Sequence, residues 1–181
     1  KKNVDVVEEK EVSESTELPN VSIVTLTYNR KEMFRMATLN YNMTSYPQDK
    51  IEWIIVDDSD ENEGVETHLP TNEEDREKIG IKYVRLESKT ELGLKRNIGV
   101  EAATNDIVLF MDDDDYYYPD SITKRVNELV NNKGVNCVGI TTTGTFDINN
   151  FVSSMNVAPF YQKYGRRVTP SSLCFYKTFW E

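Results

Sequence analysis

The sequence predicts an α/β domain with a mostly parallel central sheet flanked by helices. Three observations predict it. Short apolar, β-branched runs alternate with stretches of helical spacing. The connections between them are short, as in successive βαβ units, which the crossover rule makes right-handed. Two of the apolar runs stop abruptly at clusters of aspartate. A chain of 181 residues fits one domain of ordinary size and can bury a real core.

The elements follow in order. Residues 1–19, KKNVDVVEEKEVSESTELP, are charged, lack aromatics and end at Pro19, so they are expected to form a flexible tail. The folded domain is expected over residues 20–181. VSIVTL, from Val21 to Leu26, reads as a buried strand. Residues 33–46 place apolar side chains at 33, 34, 36, 37, 39 and 41, a helical spacing that Pro47 ends. IEWIIV, from Ile51 to Val56, is a second strand, and the polar stretch from Glu61 to Lys78 reads as loop with a short helix. IKYVRL, from Ile81 to Leu86, is a third strand, and Gly93 to Ala103 a further helix. DIVLFM, from Asp106 to Met111, is a fourth strand. Pro119 marks the approach to a helix over Ser121 to Asn131. VNCVGI, from Val135 to Ile140, is a fifth strand, and SLCFY, from Ser172 to Tyr176, is the clearest strand of the mixed remainder.

Composition excludes several functions. The net charge of −10 repels phosphate backbones, so nucleic acid is not an expected partner. The same charge opposes a compact nucleotide unless a metal cation or local Lys and Arg offset it. No apolar run reaches the roughly 18 residues of a membrane span, and no signal-peptide core follows Lys1-Lys2. Cys137 and Cys174 are the only cysteines, which suggests a reducing compartment: the cytoplasm or the cytosolic face of a membrane. The sequons at Asn20 and Asn42 are then incidental. With His68 the only histidine, a His-based zinc site or a Ser-His-Asp triad has little to stand on.

In open α/β sheets, ligands sit beyond the carboxyl ends of the strands. Thr27-Tyr28-Asn29-Arg30 follow the first strand and Asp57-Asp58-Ser59-Asp60 the second. The loop after the third leads to Lys95 and Arg96, and Asp112 to Asp115 follow the fourth. Four consecutive carboxylates repel one another and titrate together, and a divalent cation removes that repulsion. Mg²⁺ and Mn²⁺ accept one or two carboxylates together with substrate phosphates. The plainer alternative is a solvated acidic turn, and for Asp57-Asp58 ordinary turn chemistry. Tyr28 offers a face on which a base can stack. Arg30, Lys95 and Arg96 supply positive charge for a diphosphate, or else are ordinary surface cations. Gly93 lies where a helix N-terminus attracts anions. Neither GxGxxG nor a Walker A motif is present.

Four ordered blocks carry a resemblance: VSIVTLTYNR, IIVDDSDE, GLKRNIGVEAATNDIVLFMDDDDYYYPD and SSLCFYKTFWE. From about residue 20 to 181 the chain resembles the family 2 glycosyltransferases of the GT-A (nucleotide-diphospho-sugar transferase) fold. The segment Gly93 to Asp120 is the most specific, with its Arg-Asn-x-Gly, apolar strand, aspartate cluster and following proline. The resemblance implies that Thr27, Tyr28 and Asn29 line a nucleobase pocket. It implies that Asp58, with Asp57, holds the base, most often uracil, and that Lys95 and Arg96 lie near the nucleotide. Asp112 to Asp114 would form a DxD motif in which Asp114, with Asp112, binds Mn²⁺ or Mg²⁺ and Asp113 reaches the ribose. Asp115 and Tyr117 would border the sugar.

The activity so implied is inverting, hexosyltransferase-type transfer from a UDP-sugar to an acceptor hydroxyl on a glycan, lipid or protein. A carboxylate general base would take the acceptor proton. That base is expected beyond Glu181, so the chain is expected to be a truncated donor-binding domain. Three other readings compete. One is a degenerate, non-catalytic module that binds a sugar nucleotide or glycan. A sugar-nucleotide pyrophosphorylase is disfavoured because TLTYNR has no glycine, and a calcium loop because the EF-hand pattern is absent.

Overall fold

The computed structural model describes residues 17–156 and 168–180. Its elements are β1 (Val21–Thr27), α1 (Phe34–Met43), β2 (Ile51–Asp57), α2 (Glu73–Lys78), β3 (Ile81–Arg85), α3 (Leu92–Ala102) and β4 (Ile107–Phe110). They continue with α4 (Ser121–Asn131), β5 (Cys137–Val138), β6 (Thr143–Asp147), β7 (Val152–Asn156), β8 (Cys174–Tyr176) and α5 (Lys177–Trp180). Six strands form one sheet in the order β3-β2-β1-β4-β8-β5, and β6 with β7 forms a separate hairpin. The strands β1 to β4 are mutually parallel, whereas β8 runs antiparallel to both β4 and β5. The predicted architecture, a mostly parallel sheet with helices around it, is the one observed.

Both faces of this sheet are covered, which explains why its central strands read as continuous apolar runs. Alternate residues serve opposite cores. Val21, Ile23, Trp53, Ile55, Ile107 and Leu109 face one side, with Phe34 and Tyr41 of α1 and Ile122, Val126 and Leu129 of α4. Val24, Leu26, Ile54, Val56, Val108 and Phe110 face the other, with Val100 of α3 and Trp180 of α5. Aromatic stacking fixes α1: the Phe34 and Tyr41 rings lie 5.8 and 4.6 Å from that of Trp53. On the opposite face Gly99 lets α3 approach closely, because a Cβ there would collide with the side chain of Val24.

The chain runs outward from β1 through β2 to β3, then returns to the other side of β1 for β4. Loops leaving β1 and β4 therefore diverge at a topological switch point, the usual place for a ligand crevice in such sheets.

Several boundaries differ from expectation. Glu17 and Leu18 are not loose tail: Lys50 Nζ donates to Glu17 Oε1 at 2.9 Å and to the Leu18 carbonyl at 2.7 Å. The Tyr46 hydroxyl likewise donates to the Pro19 carbonyl at 2.5 Å. The first helix stops at Met43 rather than residue 46, because Thr44 and Ser45 turn away to bond the Pro119 carbonyl. The fifth strand shrinks from six expected residues to Cys137–Val138. It is an edge strand with one short neighbour, and Ile140 bonds the Ser172 hydroxyl and the Thr169 N–H instead. The β6–β7 hairpin lies in the remainder from Thr141 onward, which the sequence marks as mixed and strand-rich without setting out its strands. Residues 1–16 and Glu181 lie outside the described residues, so the tail and the terminal carboxylate are not addressed structurally.

Candidate functional site

The carboxyl edge of the parallel strands collects every residue the sequence singled out. Thr27 ends β1 and is buried. Tyr28 follows it half-buried, with Lys89 Nζ 4.6 Å above its ring, a cation–π contact. Asn29 has φ +51°, a left-handed conformation that asparagine tolerates better than most residues. Its amide donates to Asp60 Oδ2 at 2.7 Å and accepts the Asp60 N–H at 2.8 Å, while its own N–H donates to the Ser59 hydroxyl at 2.8 Å. The loops after β1 and β2 are thereby locked together.

Asp57 is fully buried and saturated. It accepts N–H groups from Ser59 at 2.8 Å and Val65 at 2.9 Å, and the Tyr83 hydroxyl at 2.8 Å. Arg85 Nη1 adds an ion pair at 3.1 Å. Burial pushes this carboxyl upward, but the hydrogen bonds from Ser59, Val65 and Tyr83 prevail and hold it below the ordinary carboxylate value. Burial and the Asp57 charge in turn push the Tyr83 phenol up. Asp58 is buried against Lys95, whose ammonium ion-pairs with Oδ1 and donates to the Thr27 carbonyl at 2.6 Å. Asp58 Oδ2 accepts the Thr90 N–H at 2.7 Å. Lys95 is thus enclosed rather than presented to solvent. Arg96, its neighbour, lies 5.6 Å over the Phe110 ring and close enough to Asp112 to act on its charge.

The aspartate run after β4 is held by its backbone. Asn40, on the buried face of α1, donates to the Asp115 carbonyl at 2.7 Å and accepts the Tyr117 N–H at 3.0 Å. The Tyr117 hydroxyl accepts the Asp112 N–H at 2.9 Å and donates to the Ser171 carbonyl at 3.0 Å. Arg125, buried beneath, donates to the Phe110 carbonyl at 3.0 Å and lies 5.5 Å over the Tyr117 ring.

The carboxylates themselves are short of partners. Asp113 is 2% exposed, and among the described residues its Oδ2 makes no well-formed hydrogen bond, nor does the buried Thr27 hydroxyl. Its Oδ1 meets Arg30 Nη1 at 3.1 Å, and the same nitrogen meets Asp114 Oδ2 at 2.5 Å. Burial raises the Asp113 carboxyl against the pull of the neighbouring Thr27 hydroxyl and of Arg30. Burial, then the charge of Asp115, pushes Asp112 up to about 6, with Arg96 opposing and Asp114 and Asp113 adding to the rise. Arg30 and Asp113 meet across the β1–β4 switch point. Asn40 and Arg125 were missed by sequence reasoning. Their signal was a polar side chain in phase with the apolar face of a helix: Asn40 with Ala37, and Arg125 with Ile122 and Leu129.

A divalent cation fits this edge only in part as a purely protein site. Among the described residues no three His, Cys, Asp or Glu side chains converge to enclose a metal. What is present, adjacent aspartates of which Asp114 is exposed, suits a cation that takes one or two carboxylates and completes its shell with phosphate oxygens.

The sequence model of a family described as glycosyl transferase family 2 matches residues 22–180. Two Haemophilus influenzae proteins named uncharacterized glycosyltransferases are 29% and 27% identical to the chain over 115 and 118 residues. These matches cover 64% and 65% of this chain, but only 44% and 37% of those proteins. Among solved structures, Staphylococcus aureus TarS 1–349 in complex with UDP-GlcNAc superposes with a TM-score of 0.66 at 19% identity, over 88% of this chain and 46% of that one. The mannosyltransferase PcManGT from Pyrobaculum calidifontis, in complex with GDP-Man and Mn²⁺, gives 0.61 at 22% identity, over 75% of this chain and 38% of that one. The fold is the GT-A fold that the resemblance predicted. The chain spans less than half the length of these relatives.

Proposed function

The chain belongs to glycosyl transferase family 2, and from that premise we propose that its acidic edge binds a nucleotide-diphosphate sugar, UDP-linked, together with Mn²⁺ or Mg²⁺. The observation that carries the reading is Asp113: a buried carboxylate at the switch point, one of whose oxygens makes no well-formed hydrogen bond among the described residues, beside the Thr27 hydroxyl, the exposed Asp114 and a basic side chain. A buried acceptor left open costs free energy unless a ligand fills it. A ribose hydroxyl is a donor of the right kind.

In this reading Asp114, with Asp112, holds the cation and Asp113 takes the ribose. Tyr28 stacks on the base in the pocket formed by Thr27, Tyr28 and Asn29. Asp57 and Asp58 act at the base end. Their carboxylates are heavily engaged, so they shape the pocket wall and keep the β1 and β2 loops in register. Lys95 fixes Asp58, while Arg30 and Arg96 bring positive charge to the diphosphate. When bound, the cation supplies electrostatic stabilisation of the negative charge that grows on the departing nucleoside diphosphate. The protein's own part is positioning: it orients the donor and keeps the sugar-bearing end open toward Asp115 and the acceptor side. Inverting, hexosyl-type transfer by in-line attack of an acceptor hydroxyl is the reaction this arrangement would serve in the whole protein.

Because the described residues offer too few ligands to enclose a metal alone, cation and nucleotide should bind cooperatively. Thermal unfolding with UDP, GDP and CDP, each with and without Mn²⁺, tests this through linkage. Stabilisation by UDP that requires Mn²⁺ supports the reading. Absence of a shift with every nucleotide overturns it.

A further inference from the structure

The position of Arg30 has a meaning beyond general positive charge. Its side chain is 48% exposed, and among the described residues its hydrogen-bond partners are Asp113 and Asp114. The other basic residues at this edge do not reach Asp114: Lys95 is enclosed by Asp58 and Thr27, Arg85 pairs with Asp57, Lys89 lies over the Tyr28 ring, and Arg96 lies over Phe110 and acts on Asp112. The backbone of Arg30 is also fixed, since its carbonyl accepts the Phe34 N–H at 2.9 Å at the start of α1. A rigidly based, solvent-accessible arm therefore ends on the aspartate proposed above as the principal cation ligand.

We propose that Arg30 is an exchangeable counter-ion. In the ligand-free protein its guanidinium neutralises Asp113 and Asp114. On donor binding a divalent cation takes its place on Asp114, and the released guanidinium pairs with the diphosphate. The proposal rests on the donor-site reading.

Three physical points support the exchange. The carboxylates need a compensating cation, because adjacent aspartates, one of them 2% exposed, repel one another. The Arg30–Asp114 pair, with side chains 48% and 41% exposed, is screened by water and weak enough to be displaced. A guanidinium presents a planar fork of donors, which suits phosphate as well as carboxylate. No covalent change is involved; the two ion pairs of Arg30 are traded for cation and diphosphate contacts that form only with both ligands present. The exchange would let the protein hold its acidic turn in order without metal and make cation binding depend on the donor.

A competing structural role predicts the opposite sign in one measurement. If Arg30 merely braces the aspartate turn, its loss disorders the turn and weakens every ligand. If it competes with the cation, its loss tightens the cation and weakens the nucleotide. Calorimetric titration of Mn²⁺ alone, and of UDP at saturating Mn²⁺, is performed on the wild-type chain, Arg30→Met and Arg30→Lys. Expected for Arg30→Met is Mn²⁺ binding tightened about fivefold without nucleotide, and UDP binding weakened about tenfold. Arg30→Lys, which keeps a charge but not the fork, should fall between, and it retains a test if the methionine variant folds poorly. Unchanged or weakened Mn²⁺ binding in both variants, with the wild type still binding UDP and Mn²⁺ together, overturns the exchange alone. A wild-type chain that binds neither removes the donor-site reading and the exchange with it.

Discussion

After β2 the chain reads Asp57-Asp58-Ser59-Asp60, and after β4 it reads Asp112-Asp113-Asp114-Asp115. In the first loop the carboxylates are the anchors. Asp57 gathers Ser59, Val65, Tyr83 and Arg85, and Asp58 gathers Lys95 and Thr90. In the second the backbone is anchored, by Asn40 and Tyr117, while the carboxylates have few partners. Their titration follows: Asp57 lies below the ordinary carboxylate value, whereas Asp112 and Asp113 lie above it. One loop uses its charges to hold the fold, and the other uses the fold to hold its charges.

The cations divide the same way. Lys95 and Asp58 form an ion pair whose side chains are 5% and 2% exposed. Arg30 and Asp114 form one whose side chains are 48% and 41% exposed. Breaking a buried pair strands a charge in low dielectric, whereas breaking an exposed one returns both groups to water.

The largest expected effect therefore lies in the first loop. Lys95→Met should destabilise the protein by about 3–5 kcal/mol in urea unfolding, because Asp58 stays buried without its counter-charge. Adding Asp58→Asn should recover part of that loss. Equal stability of Lys95→Met and wild type would mean that Asp58 is not charged in the fold.

Asp57 comes next. Its folded value lies below the ordinary 3.8, so the unfolded chain binds more protons through that window. Its stabilising contribution is complete above that value and is lost as pH falls through the lowered folded value. Asp57→Asn should cost roughly 2–3 kcal/mol at neutral pH, through weakened charge-assisted hydrogen bonds. It should also flatten the acid limb of a stability–pH curve. An unchanged acid limb would assign acid unfolding to other carboxylates.

Much of this was legible in the sequence, and the illegible part has a common cause. The parallel strands read correctly because burial on both faces makes their apolar runs continuous, and their carboxyl ends named the edge where Thr27, Arg30, Asp58 and the aspartate run meet. Which aspartates are saturated was not legible. The groups that decide it, Tyr83, Arg85, Thr90 and Asn40, lie 26 to 77 residues away from their partners in sequence. Lys95 and Arg96 looked equivalent for the same reason. Helical phase separates them: Lys95 is one turn before Gly99, the residue that touches the sheet, so it points into the edge while its neighbour turns away. The shortened β5 and the β6–β7 hairpin escaped because edge strands take their length from neighbours rather than from their own apolarity.

Two smaller effects sharpen the contrast in the second loop. Asn40→Ala removes both ties to the Asp115–Tyr117 backbone and should cost about 1–2 kcal/mol, with a weaker response to UDP and Mn²⁺. Asp114→Asn should cost least in stability, about 1 kcal/mol or less, because its pair with Arg30 is exposed and screened. Yet it should abolish the Mn²⁺-dependent shift by UDP, since the neutral amide is a far poorer ligand for a hard cation. A variant near wild type in unfolding but without metal-dependent binding separates a residue kept for chemistry from one kept for architecture. If Asp114→Asn instead unfolds the protein as severely as Lys95→Met, the two acidic loops are built alike, and the second has no claim to be the working one.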